Sequence, residues 1–476
     1  MEIVIVWMRQ DLRLSDNPAL HAAAARGEVL PVYVFDQDVA GDFLIGDSSK
    51  WWLHQSLLSI QKECHNTIVL SQGDSIKTLL KLVRKYKATA VYWNKCYEPW
   101  SIKQEKNLEK ELVELGIDHQ SFNASLLWDV EKVVKSDGTP YKVFTPFYKR
   151  GCLQQEPPRK PLPEFDIRKL FSKKIESLSV VDLKLLSNHD LEKSLDEVWE
   201  PGEHKAHAIL KSFIKNRLFD YQEGRDFPDR KSVSSLSPYL HFGEISPHEI
   251  WYAVLKSGHE YASKNNVSCF LKELVWREFA YNVLYHNPTM PQKNLDRKFD
   301  VLEWSYDKKN LHAWQQGETG YPVIDAAMKE LLLTGSMHNR MRMVVASFLV
   351  KNLMIDWRKG QEWFWKYLVD ADLASNSFNW QWVAGCGYDA SPYFRIFNPI
   401  LQGKKFDPQG RYIQKFLPEL ALLPKKYIYT PWLAPEEVLL AAKIKLGKTY
   451  PLPVVDLGDS RDRVLTEFKK LKKKVS

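Results

Sequence analysis

MEIVIVWMRQDLRLSDNPALHAAAARGEVLPVYVF, residues 1–35, decides the fold. Ile3–Trp7 is an apolar run, and the polar turn segment RQDLRLSDNP follows it. Alanine-rich Ala19–Ala25 favours a helix, and Val29–Phe35 is a second apolar, β-branched run. The same alternation continues outward. A helical pattern near Lys50–Lys62 leads to a strand at Thr67–Leu70, and one near Ile76–Tyr86 to a strand at Ala88–Trp93. A further helix precedes a strand at Asp118–Phe122. Short apolar strands separated by helices predict a doubly wound parallel sheet, with ligands beyond the carboxyl ends of its strands.

Beyond the sheet the pattern changes. Gln154–Pro163 is rich in Pro, Gln and basic residues, and Leu178–Leu195 has weak periodicity, so 131–200 reads as a connector over the surface. From about Glu203 the chain is helical: Pro322 opens VIDAAMKELLL and Gly335 closes it, while His338–Ile355 is a long amphipathic stretch. The expected architecture is an α/β domain at 1–130, a connector at 131–200 and a larger all-helical domain at 201–476.

Composition removes several classes. The 476 residues are 44% hydrophobic and 26% charged, a globular balance. Apolar stretches such as Val344–Val350 fall far short of the roughly 20 residues of a membrane span. MEIVIVW lacks a basic leader region, and the five cysteines form no CxxC pair, so a reducing cytoplasm without disulfides or zinc is expected. GxGxxG is absent, and Gly447-Lys448-Thr449 lacks a Walker A glycine because Ala442 stands in its place. The net charge of +8 suits a soluble basic protein or one that binds nucleic acid. Of 17 tryptophans, ten lie between Trp251 and Trp432, as core filling or as stacking platforms.

Three segments could carry chemistry. In LKELVWREFAYNVLYHNP, 271–288, helical spacing puts Glu273, Trp276 and Arg277 on one face, either as a surface ion pair beside a core indole or as a reader of a flat polar ligand. In VDADLASNSFNWQW, 369–382, Asp370 and Asp372 precede Asn376; they read as helix caps or as ligand-binding acids, without the oxygen spacing of a calcium loop. SVSSLSPYLHFG, 232–243, is a hydroxyl-rich loop before a helix, suited to an anion such as a diphosphate. Arg225, Arg277, Arg340, Lys404 and Lys405 interleave with the aromatics, as solvated faces or as phosphate contacts.

VWMRQDLRLSDNPAL (6–20), DGTPYKVFTPFYKR (137–150), SSLSPYLHFG (234–243) and ELVWREF (273–279) resemble the photolyase/cryptochrome family. So do WQQGETGYPVIDAAMKEL (314–331), MHNRMRMVVASFLVKNLMIDWRKGQE (337–362) and DADLASNSFNWQWVAGCGYDASPYFRIFNP (370–399). The resemblance covers nearly the whole chain, and within the family it is most similar to class I cyclobutane pyrimidine dimer photolyases. It implies an antenna domain, a helical domain holding FAD, and light-driven electron transfer from FADH⁻ to a pyrimidine dimer flipped out of DNA.

Residue by residue, the resemblance implies FAD contacts from Tyr221, from Val233, Ser234, Ser235, Leu236 and Ser237, and from Arg342, Asp370, Asp372 and Asn376. Val233 replaces a frequent family Thr. Glu273 and Asn339 correspond to polar contacts to the dimer, Trp276 and Trp382 to the walls of its pocket, and Met343 to a residue packing on it. Trp380, Trp357 and Trp304 fall on the family's electron relay. Arg225, Arg277 and Arg340 match contacts to the DNA backbone. MHNRMRM carries Asn339 where dimer enzymes do, unlike (6-4) photolyases, and the set exceeds what a pure cryptochrome sensor needs. A second antenna chromophore, folate or deazaflavin, stays open. Tyr97-Glu98 is followed by Pro99-Trp100-Ser101 rather than a folate-type Asn-Glu pair, and Cys96 and His241 replace the Asp and Lys of deazaflavin-type relatives. The expected partner is dimer-containing DNA, met by a cytoplasmic monomer without a metal.

Overall fold

The computed structural model describes residues 2–393 and 395–475. The side chains of residues 257, 258 and 472–475 lie outside the description, and with them much of the basic tail FKKLKKKVS. The chain forms two compact units. The first comprises Met1–Phe219, Ser234–Pro288 and Val369–Ala374; the second comprises Asp220–Val233, Thr289–Leu368 and Ser375–Ser476.

The first unit is built on strands β1 (Ile3–Met8), β2 (Glu28–Phe35), β3 (Val69–Gln72), β4 (Ala90–Asn94) and β5 (Asp118–Phe122). All pairs are parallel, in the order β3-β2-β1-β4-β5. The order reverses between β1 and β4, the switch point of a doubly wound sheet. Helices α1 (Pro18–Arg26), α2 (Asp47–Glu63), α3 (Ser75–Tyr86) and α4 (Pro99–Glu114) make the crossovers. The central strands are apolar throughout because helices cover both faces. Ile5, Trp7, Val32, Val91 and Trp93 lie in one core with Leu79, Leu108 and Leu112. Each such side chain contributes about 1.5–3 kcal/mol by leaving water.

Local chemistry sets the boundaries. Asn17 caps α1 by accepting from the Leu20 N–H at 3.2 Å, and Pro18 takes the first turn. Pro31 is tolerated in a central strand because β3 begins to pair only at Val32 with Val69. β3 starts two residues later than the sequence suggests. His65 and Asn66, both at positive φ, turn the chain out of α2 before it can extend.

The segment expected to cross as a surface connector is woven into this unit. The Phe171 N–H donates to the Val29 carbonyl at 2.8 Å, and the Leu178 N–H to that of Leu70 at 3.0 Å. Arg159 pairs with buried Asp16, and the Leu162 N–H donates to the same carboxylate at 2.8 Å. Arg13, also buried, donates to the carbonyls of Gly243, Asp16 and Ala124 at 2.9, 2.9 and 3.1 Å. Gly243 has φ +68, and a Cβ there would stand 2.0 Å from the Gln10 carbonyl oxygen. The RQDLRLSD turn and the HFG turn therefore approach backbone to backbone.

The remaining helices of the first unit include α5 (Glu203–Asn216), α6 (Pro247–Tyr261) and α7 (Lys264–His286). The second unit is helical, with α8 (Pro322–Thr334), α9 (Asn339–Ser347), α10 (Trp357–Tyr367) and the final helix Leu457–Val475. Gly335, at φ +63, ends α8 as its sequence position predicted. The amphipathic stretch after His338 is not one regular helix: α9 passes into a π turn, Phe348–Asn352. The described residues contain no helix long and apolar enough to cross a membrane, and no cluster of three or more His, Cys, Asp or Glu suited to a metal ion.

Candidate functional site

Within the first unit, α7 presents its polar stripe as its spacing predicted. Glu273, Trp276 and Arg277 are partly exposed, while Leu274, Val275, Glu278 and Phe279 are buried. The Trp276 indole stacks on Phe144 with ring centroids 3.7 Å apart and planes 5° from parallel. Phe144 belongs to the DGTPYKVFTPFYKR stretch, so two distant motifs build one aromatic platform beside a carboxylate.

Arg277 is placed otherwise than a phosphate contact would require. Its Nη1 donates to the Ser125 carbonyl at 2.6 Å, and its guanidinium lies 4.8 Å over the Tyr281 ring. The side chain is 14% exposed. A charge this enclosed needs carbonyl and carboxylate partners, and Glu278 adds one at 3.7 Å. Burial nevertheless drives the Glu278 carboxyl up to about 7.

Tyr281, one turn beyond Arg277, donates its hydroxyl to Asp372, and His241 Nδ1 stands 3.7 Å from the same carboxylate. Burial alone would raise the pKa of Asp372. His241, then Arg277 and Tyr281, outweigh it and hold the acid well below the carboxylate range. Asp372 is thus a buried anion at any physiological pH. Asp370, in the same short segment, is also buried.

The serine loop contains a left-handed turn. Ser235 has φ +61, and Leu236 follows at φ −93, ψ −5. That alternation turns successive N–H groups to one side. Ser234 accepts from the Leu236 N–H at 3.4 Å, Ser234 and Ser235 are partly exposed, and Ser237 is exposed at the start of a short helix.

In the second unit, Val233 is partly exposed and Tyr221 is buried, with the Arg225 guanidinium 5.3 Å over its ring. Ser232 donates to Asp220 at 3.0 Å, closing the loop over Gly224, where a Cβ would stand 2.2 Å from either oxygen. Arg340 donates from Nη2 to Asp226 at 2.7 Å and from Nη1 to the Met343 sulfur at 3.7 Å. Arg342 donates to the Met337 carbonyl at 2.8 Å; Asn339 is exposed and Trp382 partly exposed.

Asn376 gives its amide to the Gln361 carbonyl at 3.1 Å, and its oxygen accepts from no protein donor among the described residues. Four residues on, Trp380 is 2% exposed and packs on Phe364, centroids 5.0 Å apart, and on Trp314 at 6.2 Å. Its ring also lies against Gly360, one turn from fully buried Trp357 on α10. The Trp357 Nε1 donates to Asn294 at 2.9 Å, and Trp304 is partly exposed. Burial falls from Trp380 and Trp357 to Trp304.

Sequence reasoning missed Tyr281, Gly360 and Asp226. Tyr281 stands at i+4 from Arg277, and a glycine inside a helix is itself a mark of close packing, so both left a signal. Asp226 left none, because its partner is 114 residues away.

Family models match at residues 4–166, as DNA photolyase, and at 270–470, as the FAD binding domain of DNA photolyase. The deoxyribodipyrimidine photo-lyase of Agrobacterium fabrum is 46% identical, over 99% of this chain and 98% of its own. Cryptochrome-1 of Arabidopsis thaliana is 37% identical, over 97% of this chain and 69% of its own. The crystal structure of a bacterial class III photolyase from Agrobacterium tumefaciens superposes with a TM-score of 0.95 at 45% identity, covering 99% of this chain and 98% of that one. With these likenesses running nearly end to end over an α/β unit and a helical FAD-binding region, the chain belongs to the DNA photolyase/cryptochrome family.

Proposed function

We propose that this protein is a light-driven repair enzyme for cyclobutane pyrimidine dimers in DNA, with FAD as its working cofactor. The observation that carries this reading is the Trp276–Phe144 platform with Glu273 one turn away, both Trp276 and Glu273 partly exposed. Indoles stack on exposed bases, and a carboxylate beside them hydrogen-bonds a pyrimidine edge. On the family resemblance, Asn339, Met343 and Trp382 of the second unit are also proposed as dimer contacts, and Arg225 and Arg340 as phosphate contacts.

Each unit offers donors and acceptors suited to FAD: Ser234, Ser235, Leu236, Ser237, Asp370 and Asp372 in the first, and Tyr221, Val233, Arg342 and Asn376 in the second, are proposed to hold it. The turned backbone at Ser235 and Leu236 suits a diphosphate, for which the Leu236 N–H would give up its long 3.4 Å bond to Ser234. Asp372, an anion kept in place by Tyr281 and His241, and the unused Asn376 oxygen each accept an N–H. When bound, reduced FAD supplies the light-released electron that opens the cyclobutane ring. Trp380, Trp357 and Trp304 form the proposed route by which that cofactor is recharged from the surface.

Class III is preferred to the class I subclass expected from the motifs, on the 45% identity to the class III structure. A second chromophore of folate or deazaflavin type and action as a cytoplasmic monomer belong to the same proposal. A photoreceptor role is the second reading, supported by the 37% identity to cryptochrome-1 and a TM-score of 0.88 to a Synechocystis cryptochrome. Illuminating the reduced holoprotein with thymine-dimer DNA separates them. Light-dependent loss of dimers supports repair, and its absence in FAD-loaded, reduced protein refutes it.

A further inference from the structure

We infer that Asp226 is a built-in stand-in for a DNA phosphate: it occupies Arg340 in the free protein and must be displaced on binding. The inference rests on the reading of this protein as one that binds DNA. Arg340 lies in the first turn of α9, where the N–H groups of the helix make the local potential positive. A cation is disfavoured there and an anion favoured. Asp226 supplies that anion at 2.7 Å, and the Phe406 ring backs the guanidinium at 4.5 Å.

The pairing is unfinished. Arg340 reaches one carboxylate oxygen through Nη2 alone, and its Nε has no hydrogen-bond partner among the described residues. Arginine binds carboxylate and phosphate best with two parallel donors. Asp226 is 38% exposed and Arg340 20%, so the pair can be reached and opened. His338, which caps α9, marks the balance of charge here. Burial lowers its pKa to about 4; Asp226 opposes that shift, whereas Arg340, Arg342 and Arg225 add to it.

The Arg340 Nε is buried in the free protein, so a phosphate that takes Nη2 gains Nε as a second donor only once Asp226 has moved aside. Asp226 then takes up a counterion from solvent. Every DNA molecule meets this cost, damaged or not. Asp226 thus weakens all binding and leaves the preference for a lesion to the stacking groups.

The test is a salt titration of duplex binding by FAD-loaded protein, with undamaged and dimer-containing DNA. Asp226→Asn is expected to tighten both about two- to five-fold, the worth of a partly exposed ion pair. It should also steepen the slope of log K against log salt, by up to about one unit, because no counterion is taken up. Asp226→Glu should stay near wild type. In an Arg340→Ala background, Asp226→Asn should change neither quantity, since the two act as one. Unchanged affinity and slope in Asp226→Asn would overturn the inference, and so would equal tightening in the Arg340→Ala background, which would make Asp226 a direct repeller of DNA. Wild-type protein that shows no salt-dependent DNA binding would instead overturn the DNA-binding reading itself.

Discussion

Gly360→Ala sets two known effects against each other at one atom. Gly360 sits inside α10, and a Cβ built there would stand 2.1 Å from Cη2 of Trp380 and 2.5 Å from both Cζ2 and Cζ3. Ordinary contact needs about 3.4 Å or more, so the ring or the helix must retreat by more than about 1 Å. The ring has little room, because it is 2% exposed and packed on Phe364 and Trp314. Overpacking of a filled core costs about 1–3 kcal/mol. Alanine in a helix interior is better than glycine by about 0.8–1 kcal/mol. The net expectation is destabilisation of up to about 2 kcal/mol, read as a lower urea midpoint, with a changed near-UV spectrum from the displaced indole. If Trp380 belongs to the proposed relay, blue-light photoreduction of oxidised FAD should slow as well. A Gly360→Ala protein about 1 kcal/mol more stable than wild type would show propensity acting alone and refute the contact.

Trp276→Ala should weaken binding of dimer-containing DNA by about 1–3 kcal/mol in stacking while FAD is retained, measured by competition against undamaged duplex. Trp304→Phe should slow photoreduction of oxidised FAD yet leave repair by chemically pre-reduced protein near wild type; equal loss of both activities would count against the relay. Arg277→Ala should leave the salt slope of DNA binding unchanged and lower stability by about 1.5–3 kcal/mol, because its charge is spent on the Ser125 carbonyl. Lys351 is fully buried, donates to the Ala384 carbonyl at 2.9 Å, and has its pKa pushed down to about 7 by burial. Unfolding restores a value near 10.4. The folded state then binds fewer protons between those pH values, so stability should rise from pH 7 towards pH 10. Lys351→Met should flatten that rise in urea midpoints.

Alternation of apolar strands with helical patterns was enough to specify the parallel sheet, since strand and helix periods are local properties of the chain. The face shared by Glu273, Trp276 and Arg277 was legible for the same reason: helical spacing alone puts i, i+3 and i+4 together. The end of α8 could be read from Pro322 and Gly335, whose backbone preferences act within one turn. The start of β3 could not, because His65 and Asn66 take positive φ on leaving α2 and pairing then begins only where Val32 meets Val69 across the sheet.

Spacing says which residues share a face and nothing about what meets that face. Arg277 shows the difference. Its place beside Trp276 followed from the sequence, but its burden did not. The Ser125 carbonyl and the Tyr281–Asp372 pair reach it only after distant segments fold together, and a charge out of water must bind whatever donors and acceptors arrive there. Asp226 and Arg340, 114 residues apart, are the same case on a more exposed surface. The sequence by itself determined the elements, their order and the chemical kinds of residue available to the site. Tertiary structure decided which charges are spent on the protein and which are left for a ligand, because pairing energy depends on distance and burial, and neither is a property of the chain read in one dimension.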